Sequence, residues 1–231
     1  MKIDKKTVKV WDPLVRIGHW ILVIAFFTAY LTEDDLLTQH VWAGYLVSIY
    51  VLVRLVWGVI GSRYARFRNF LYAPTKVFEY LKNLLAGKPQ HYIGHNPAGG
   101  AMVAALLISL SGTAVTGMKL YAVEENAGPF AVAAAQQISL HSVSLVDEAN
   151  TENDDEDDDE DKASSGLNTE HKVDKQAEEF WEELHETFAN LTLLLVFLHI
   201  LGVIVSSIID KEKLVKAMWT GKKEIDDSYP K

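Results

Sequence analysis

Four stretches of this 231-residue sequence run for about the width of a bilayer with almost no charge, and they leave few folds open. IGHWILVIAFFTAYLT lies between Arg16 and Glu33, and VWAGYLVSIYVLVRLVWGVI (41–60) is interrupted only by Arg54. AGGAMVAALLISLSGTAVTGM covers 98–118, and TFANLTLLLVFLHILGVIVSSII covers 187–209. A hydrocarbon core asks for about 20 residues of helix, so three runs are long enough and the first is marginal. Lipid offers no partner to free backbone groups, so the spanning segments must be helices. A soluble bundle would place charges every turn or two on its outer faces, and these runs do not. The expected fold is all-α: a transmembrane four-helix bundle forming a single domain over residues 1–231. Its spans are expected at about 14–32, 41–60, 98–119 and 184–209, with short interfacial helices beside them.

Charge fixes an orientation. The formal net charge is −9, but 11 acidic residues fall within 147–161, and the rest of the chain is close to neutral. Residues 147–166 have too little apolar surface to make a core, so a disordered acidic outer loop is expected there. That loop is either a solvated linker or a lure for a basic partner or divalent cations. Of the 22 Lys and Arg residues, 18 lie in the N-terminal arm, in 41–97 and in the C-terminal tail, with four elsewhere. By the positive-inside rule both termini and the 61–97 loop face the cytoplasm, and the 119–184 loop faces outward. The basic N-terminus lacks a small-residue cleavage site before an apolar stretch, so the first span is expected to be retained. PTKVFEYLKNLLAG (74–87) puts Val77, Tyr80, Leu81, Leu84 and Leu85 on one face, as an interfacial helix does. KEKLVKAMWTGKK (211–223) has a similar pattern. The bilayer is the expected partner, and no nucleic acid is.

The histidines carry the chemistry. Cysteine is absent, which excludes disulfides, thiolate metal sites and covalently attached c-type haem. His19, His40, His185 and His199 sit in or at the ends of the apolar runs, where ionisable residues are costly and mark function. His185 and His199 are 14 residues apart, roughly 21 Å and nearly four full turns, so one helix offers two imidazoles on about the same face at two depths. Depth pairs His40 with His185 near the outer surface and His19 with His199 near the inner one. Two imidazoles per iron make a closed, low-spin site suited to electron transfer, so two non-covalent haem b groups are expected between the helices. Zinc fits poorly, because no carboxylate stands near either pair. A proton or metal transporter is the remote alternative; no proline breaks the second, third or fourth span. Gly44, Gly58, Gly112, Gly117 and Gly202, with Ala43 and Ala189, are small enough to admit a neighbouring helix or a flat macrocycle. His91 and His171 read as solvent residues, and His141 has no clear reading.

Taken together, VWDPLVRIGHW (10–20), HVWAGYLVSIYVLVRLVWG (40–58), HNPAGGAM (95–102) and ELHETFANLTLLLVFLHILGV (183–203) resemble the prokaryotic cytochrome b561 family. That family groups with the cytochrome b subunits of nickel–iron hydrogenases. The resemblance covers nearly the whole chain except the acidic loop. It implies a di-haem four-helix bundle with His19, His40, His185 and His199 as axial ligands and quinone as redox partner at one membrane face. Arg16 and Arg54 are candidates for pairing with haem propionates, or for reaching inner headgroups. His95 is a candidate for a quinone carbonyl. The function this implies is transmembrane electron transfer coupled to the quinone pool. The alternative is a membrane-anchor subunit of a larger complex, with a hydrogenase or a periplasmic cytochrome c as partner.

Overall fold

A computed structural model describes residues 6–33, 36–88, 90–131, 161–209 and 213–225, with side chains of the last long helix from residue 175 onward. In chain order the elements are β1 (Lys6–Lys9), α1 (Pro13–Leu31), α2 (Leu37–Ile60), a 3-10 turn (Phe67–Asn69), α3 (Pro74–Leu85), α4 (Pro97–Glu124), α5 (Asp161–Ile209), α6 (Leu214–Thr220) and β2 (Lys222–Ile225). Among the described residues, four helical stretches are long and apolar enough to cross a membrane: α1, α2, α4 and Lys175–Ile209 of α5.

Local chemistry sets the helix starts. Asp12 caps α1 by accepting from the Val15 N–H at 3.0 Å, and Pro13 fills the first turn, where no N–H is needed. Pro74 and Pro97 open α3 and α4 in the same way, and Asn96 Oδ1 accepts from the Gly99 N–H at 2.7 Å. α6 ends on Gly221, which has a left-handed φ of 77° and donates its N–H to the Ala217 carbonyl.

The chain divides into two units, Met1–Ser111 with Ala189–Lys231, and Gly112–Phe188. In the first unit all four long helices contribute to one core. Ala25 and Phe26 of α1, Val47 and Val51 of α2, and Leu110 of α4 are buried, with Leu193 and Val196 of α5 packed against them. Ser109 Oγ and Thr192 Oγ1 meet at 2.7 Å within this interior. Outward faces are apolar: Leu31, Trp42, Val59, Ile60, Ile108 and Ile208 are each at least 69% exposed, as lipid-facing side chains must be. The chain is thus an all-α membrane protein.

β1 and β2 form an antiparallel pair with Lys6 opposite Ile225 and Lys9 opposite Lys222. The N–H groups of Val10 and Trp11 extend the join by donating to the Gly221 carbonyl. This ladder was not foreseen, because four-residue lysine-rich strands carry little apolar alternation. In the second unit α4 and α5 approach closely. A Cβ on Gly112 would lie 2.4 Å from the Phe188 ring, and one on Gly117 would lie 2.7 Å from the His185 ring.

Several expectations shift at their edges. α2 begins at Leu37 rather than 41, and α4 continues to Glu124. α5 is helical from Asp161, well before the expected 184, so residues 161–166 of the expected disordered loop belong to a helix. The apolar run marks only the part lipid must cover; beyond it Lys, Ala, Gln and Glu sustain the helix by propensity. Residues 147–160 of the acidic loop and His141 lie outside the described residues, and the His171 side chain does as well. α3 takes the expected interfacial pattern in part: Tyr80 and Leu84 are buried, whereas Leu81, Leu85 and Phe78 stay exposed.

Candidate functional site

In the first unit His19 of α1 and His199 of α5 face each other, with ring centroids 6.5 Å apart and planes at 56°. A metal–imidazole bond is about 2.0–2.1 Å, and a ring centre lies about 1 Å beyond its nitrogen. Two imidazoles on opposite sides of one iron therefore have centroids roughly 6 Å apart, so this pair fits axial ligation of a haem. Among the described residues no three His, Asp or Glu side chains converge, so the arrangement offers a pair and not the cluster that zinc prefers. His19 Nδ1 is buried with no hydrogen-bond partner. Trp20 stacks edge-on against His19 at 5.2 Å and against Trp219 of α6 at 5.6 Å.

His40 sits in the first turn of α2 and reaches back to the end of α1, where its Nδ1 lies 2.8 Å from the Ala29 carbonyl. A carbonyl only accepts, so Nδ1 carries the proton and Nε2 the lone pair. In the second unit His185 has the same arrangement. Its Nδ1 lies 3.1 Å from the Thr113 carbonyl and 3.2 Å from the Thr116 hydroxyl, which itself donates to the Gly112 carbonyl at 2.8 Å. Metal-binding histidines are typically fixed by such an outer hydrogen bond. Sequence gives no sign of these acceptors, since two of the three are backbone carbonyls.

The glycines separate into two kinds. Gly58, Gly112 and Gly117 press against side chains of Phe67, Phe188 and His185, and act in ordinary helix packing. Gly44 and Gly202, one turn beyond His40 and His199, have no atom within 4 Å of a would-be Cβ. Open space next to two candidate ligands also suits a bulky planar group.

Arg54 is 5% exposed inside α2 and lies over the rings of Phe67 and Phe70, at 5.1 and 5.8 Å. Its Nη1 is buried without a hydrogen-bond partner. A buried guanidinium in this state has a donor to offer an anionic group. Arg16 instead donates through Nη1 to the Thr220 carbonyl at 3.0 Å, while its Nε is buried and unpartnered. His95 packs against Trp11 and Phe70, each with ring centroids 4.5 Å away, and its Nδ1 is buried without a partner. Burial, joined by the charges of Arg54, His199 and Lys223, pushes the His95 pKa down to about 3, so the ring is neutral near pH 7. His91, expected in solvent, is partly buried.

One residue that sequence reasoning passed over organises this end of the first unit. Besides capping α1, Asp12 accepts from Trp57 Nε1 at 3.1 Å and from the Ser62 hydroxyl, tying α1 to the end of α2. The Asp-Pro pair just before an apolar run was its visible sign.

Apolar spans carrying facing histidines define a membrane cytochrome of the b type, and comparison with known proteins agrees. Residues 10–221 match the prokaryotic cytochrome b561 family, to which this chain belongs. Membership implies b-type haem and an electron-transfer role in the membrane. Curated relatives include probable Ni/Fe-hydrogenase B-type cytochrome subunits. That of Bradyrhizobium diazoefficiens is 26% identical over 149 residues, 52% of this chain and 60% of that protein. That of Azotobacter chroococcum mcd 1 is 30% identical over 152 residues, 52% of this chain and 62% of that protein. The chain thus spans about 60% of the length of the curated relatives it matches. No solved structure matches it.

Proposed function

We propose that this cytochrome carries electrons across a bacterial inner membrane through two b-type haems and exchanges them with the quinone pool. The facing of His19 and His199 at 6.5 Å carries the reading. His40 and His185 form the second ligand pair, matched by depth in the sequence and supported by the tautomer that each Nδ1 contact imposes. Bound haem supplies a reversible one-electron couple. The chain's residues bind it, orient its ligands and exclude water from it. Arg54, and the remaining donor of Arg16, are suited to the propionates through charge-assisted hydrogen bonds. His95, neutral and with a buried ring nitrogen, is suited to a hydrogen bond with a quinone oxygen. The Lys and Arg bias puts both termini in the cytoplasm.

A second reading is favoured by the names of the relatives: a membrane subunit that passes electrons for a hydrogenase or another redox partner. Co-purification after mild detergent extraction separates it from an autonomous quinone oxidoreductase.

The first test is a reduced-minus-oxidised spectrum of the purified protein with haem quantitation per chain. Two low-spin b haems are expected, with one lost in His199→Ala. Two intact haems in that variant would overturn the ligand pairs.

A further inference from the structure

We propose that the segment joining α2 to α4, with α6 beside it, docks on anionic headgroups of the bilayer. The inference is independent of the haem reading and rests on the membrane spans alone. Residues 61–96 carry six Lys or Arg against one acid, Glu79. Among the described residues none of the six makes an ion pair. Arg63, Arg68, Lys76, Lys82 and Lys88 are exposed, so their charge faces outward unneutralised.

The rotation of α3 decides which of its apolar residues are left over. Tyr80, 2% exposed, and Leu84 are buried in the first unit, and the Tyr80 hydroxyl accepts from Asn96 Nδ2 at 2.7 Å. With those two inward, Phe78, Leu81 and Leu85 share another side of the helix, within an arc of about 60°. Phe78 and Leu85 are 77% and 85% exposed. On the same wheel Lys82 borders this stripe and Glu79 falls well away from it. The pattern recurs on α6, where Val215 and Trp219, one turn apart, are exposed beside exposed Lys213 and Lys216. Lys223 Nζ donates to the Tyr92 carbonyl, so β2 and the 61–96 segment stand at the same end of the first unit.

Continuity and charge name the occupant. α3 lies in the chain between the ends of two spans, Ile60 of α2 and Pro97 of α4, which keeps it at the membrane surface. A helix held there with lysines and an apolar side sinks that side into the boundary between headgroups and acyl chains. Basic side chains at the boundary attract anionic lipid, each by about fivefold, and salt screens the attraction. A neutral leaflet would cover the apolar stripe but leave the cations without counter-charge. A lipid of net negative headgroup, such as phosphatidylglycerol, satisfies both.

The test uses the full chain in nanodiscs of phosphatidylglycerol and phosphatidylcholine. The sequence has no cysteine, so Phe78→Cys and Glu79→Cys each give a single site for a spin label. The label at position 78 should be relaxed by oxygen and shielded from a water-soluble nickel chelate, and the label at position 79 the reverse. Leu85→Cys repeats the reading if Phe78→Cys does not fold. Taken from mixed micelles of the two lipids, the native protein should retain phosphatidylglycerol in excess. That excess should be lost in high salt, and in a protein carrying Arg63→Gln, Arg68→Gln and Lys82→Gln together. A label at position 78 open to the nickel chelate overturns the proposal, as does equal retention of the two lipids by the native protein. A label shielded from both reagents overturns it in favour of a second copy or another protein on this face. Haem content is read separately, so failure here leaves the ligand reading standing.

Discussion

Asp12→Ala removes three interactions at once, and their sum can be worked from the geometry. Loss of the cap on α1, now made to the Val15 N–H at 3.0 Å, costs about 1 kcal/mol. Trp57 Nε1 and the Ser62 hydroxyl lose their shared acceptor, each at about 1 kcal/mol, less where water can replace it. The expected destabilisation is about 2–4 kcal/mol, read from unfolding in detergent micelles followed by circular dichroism. Asp12→Asn keeps the cap but offers one oxygen in place of two, so about half that loss is expected. The same carboxylate predicts a pH window. Burial raises its pKa, but hydrogen bonds from Ser62, Val15, Trp57 and Leu14 outweigh burial and hold it below the ordinary 3.8. The folded state therefore gains from this group above pH 3.8 and loses that gain as pH falls through the lowered value. The gap between the native protein and Asp12→Asn should be constant near neutrality and close only in acid. An Asp12→Ala protein within about 0.5 kcal/mol of the native one would refute the argument, because a cap alone exceeds that.

Three further outcomes are expected. Gly100→Ala would set a Cβ 2.1 Å from the Phe70 carbonyl oxygen, so a loss of about 1–3 kcal/mol should appear in the same unfolding assay. Thr192→Val removes one side of the buried 2.7 Å contact with Ser109; about 0.6 kcal/mol, and at most about 1.7, should be lost, and a double-mutant cycle with Ser109→Ala should recover that coupling. Because the His95 pKa falls from 6.5 to about 3 on folding, the unfolded chain binds the extra proton between those values and stability should decline with acid across that window. His95→Gln should flatten the decline, which titration of stability against pH would show.

The four spans were legible because lipid leaves a local record: an uncharged run of fixed length needs no knowledge of its neighbours. The facing of His19 and His199 was legible for a related reason, since depth along a span follows from residue number at a constant rise. Other features left no such record. The carbonyls of Ala29 and Thr113 are chemically like any other carbonyl, and only the fold selects them as acceptors for His40 and His185. Asp12, passed over in the sequence, has a local sign in the Asp-Pro pair, whereas its bonds to Trp57 and Ser62 reach 45 and 50 residues along the chain. The span expected at 184–209 marks only the apolar part of α5, because apolarity tracks the membrane, while helicity continues beyond it wherever propensity allows.

The β1–β2 ladder also sets an order in time. β1 leaves the ribosome before the four described spans, and its partner follows only after them. Until then Lys6–Lys9 has no strand beside it, the Val10 and Trp11 amides wait for the Gly221 carbonyl, and Arg16 waits for that of Thr220. Closure of this ladder must therefore wait until the four spans between its strands have been made. A protease acting on the N-terminal arm during translation would read out whether it has closed.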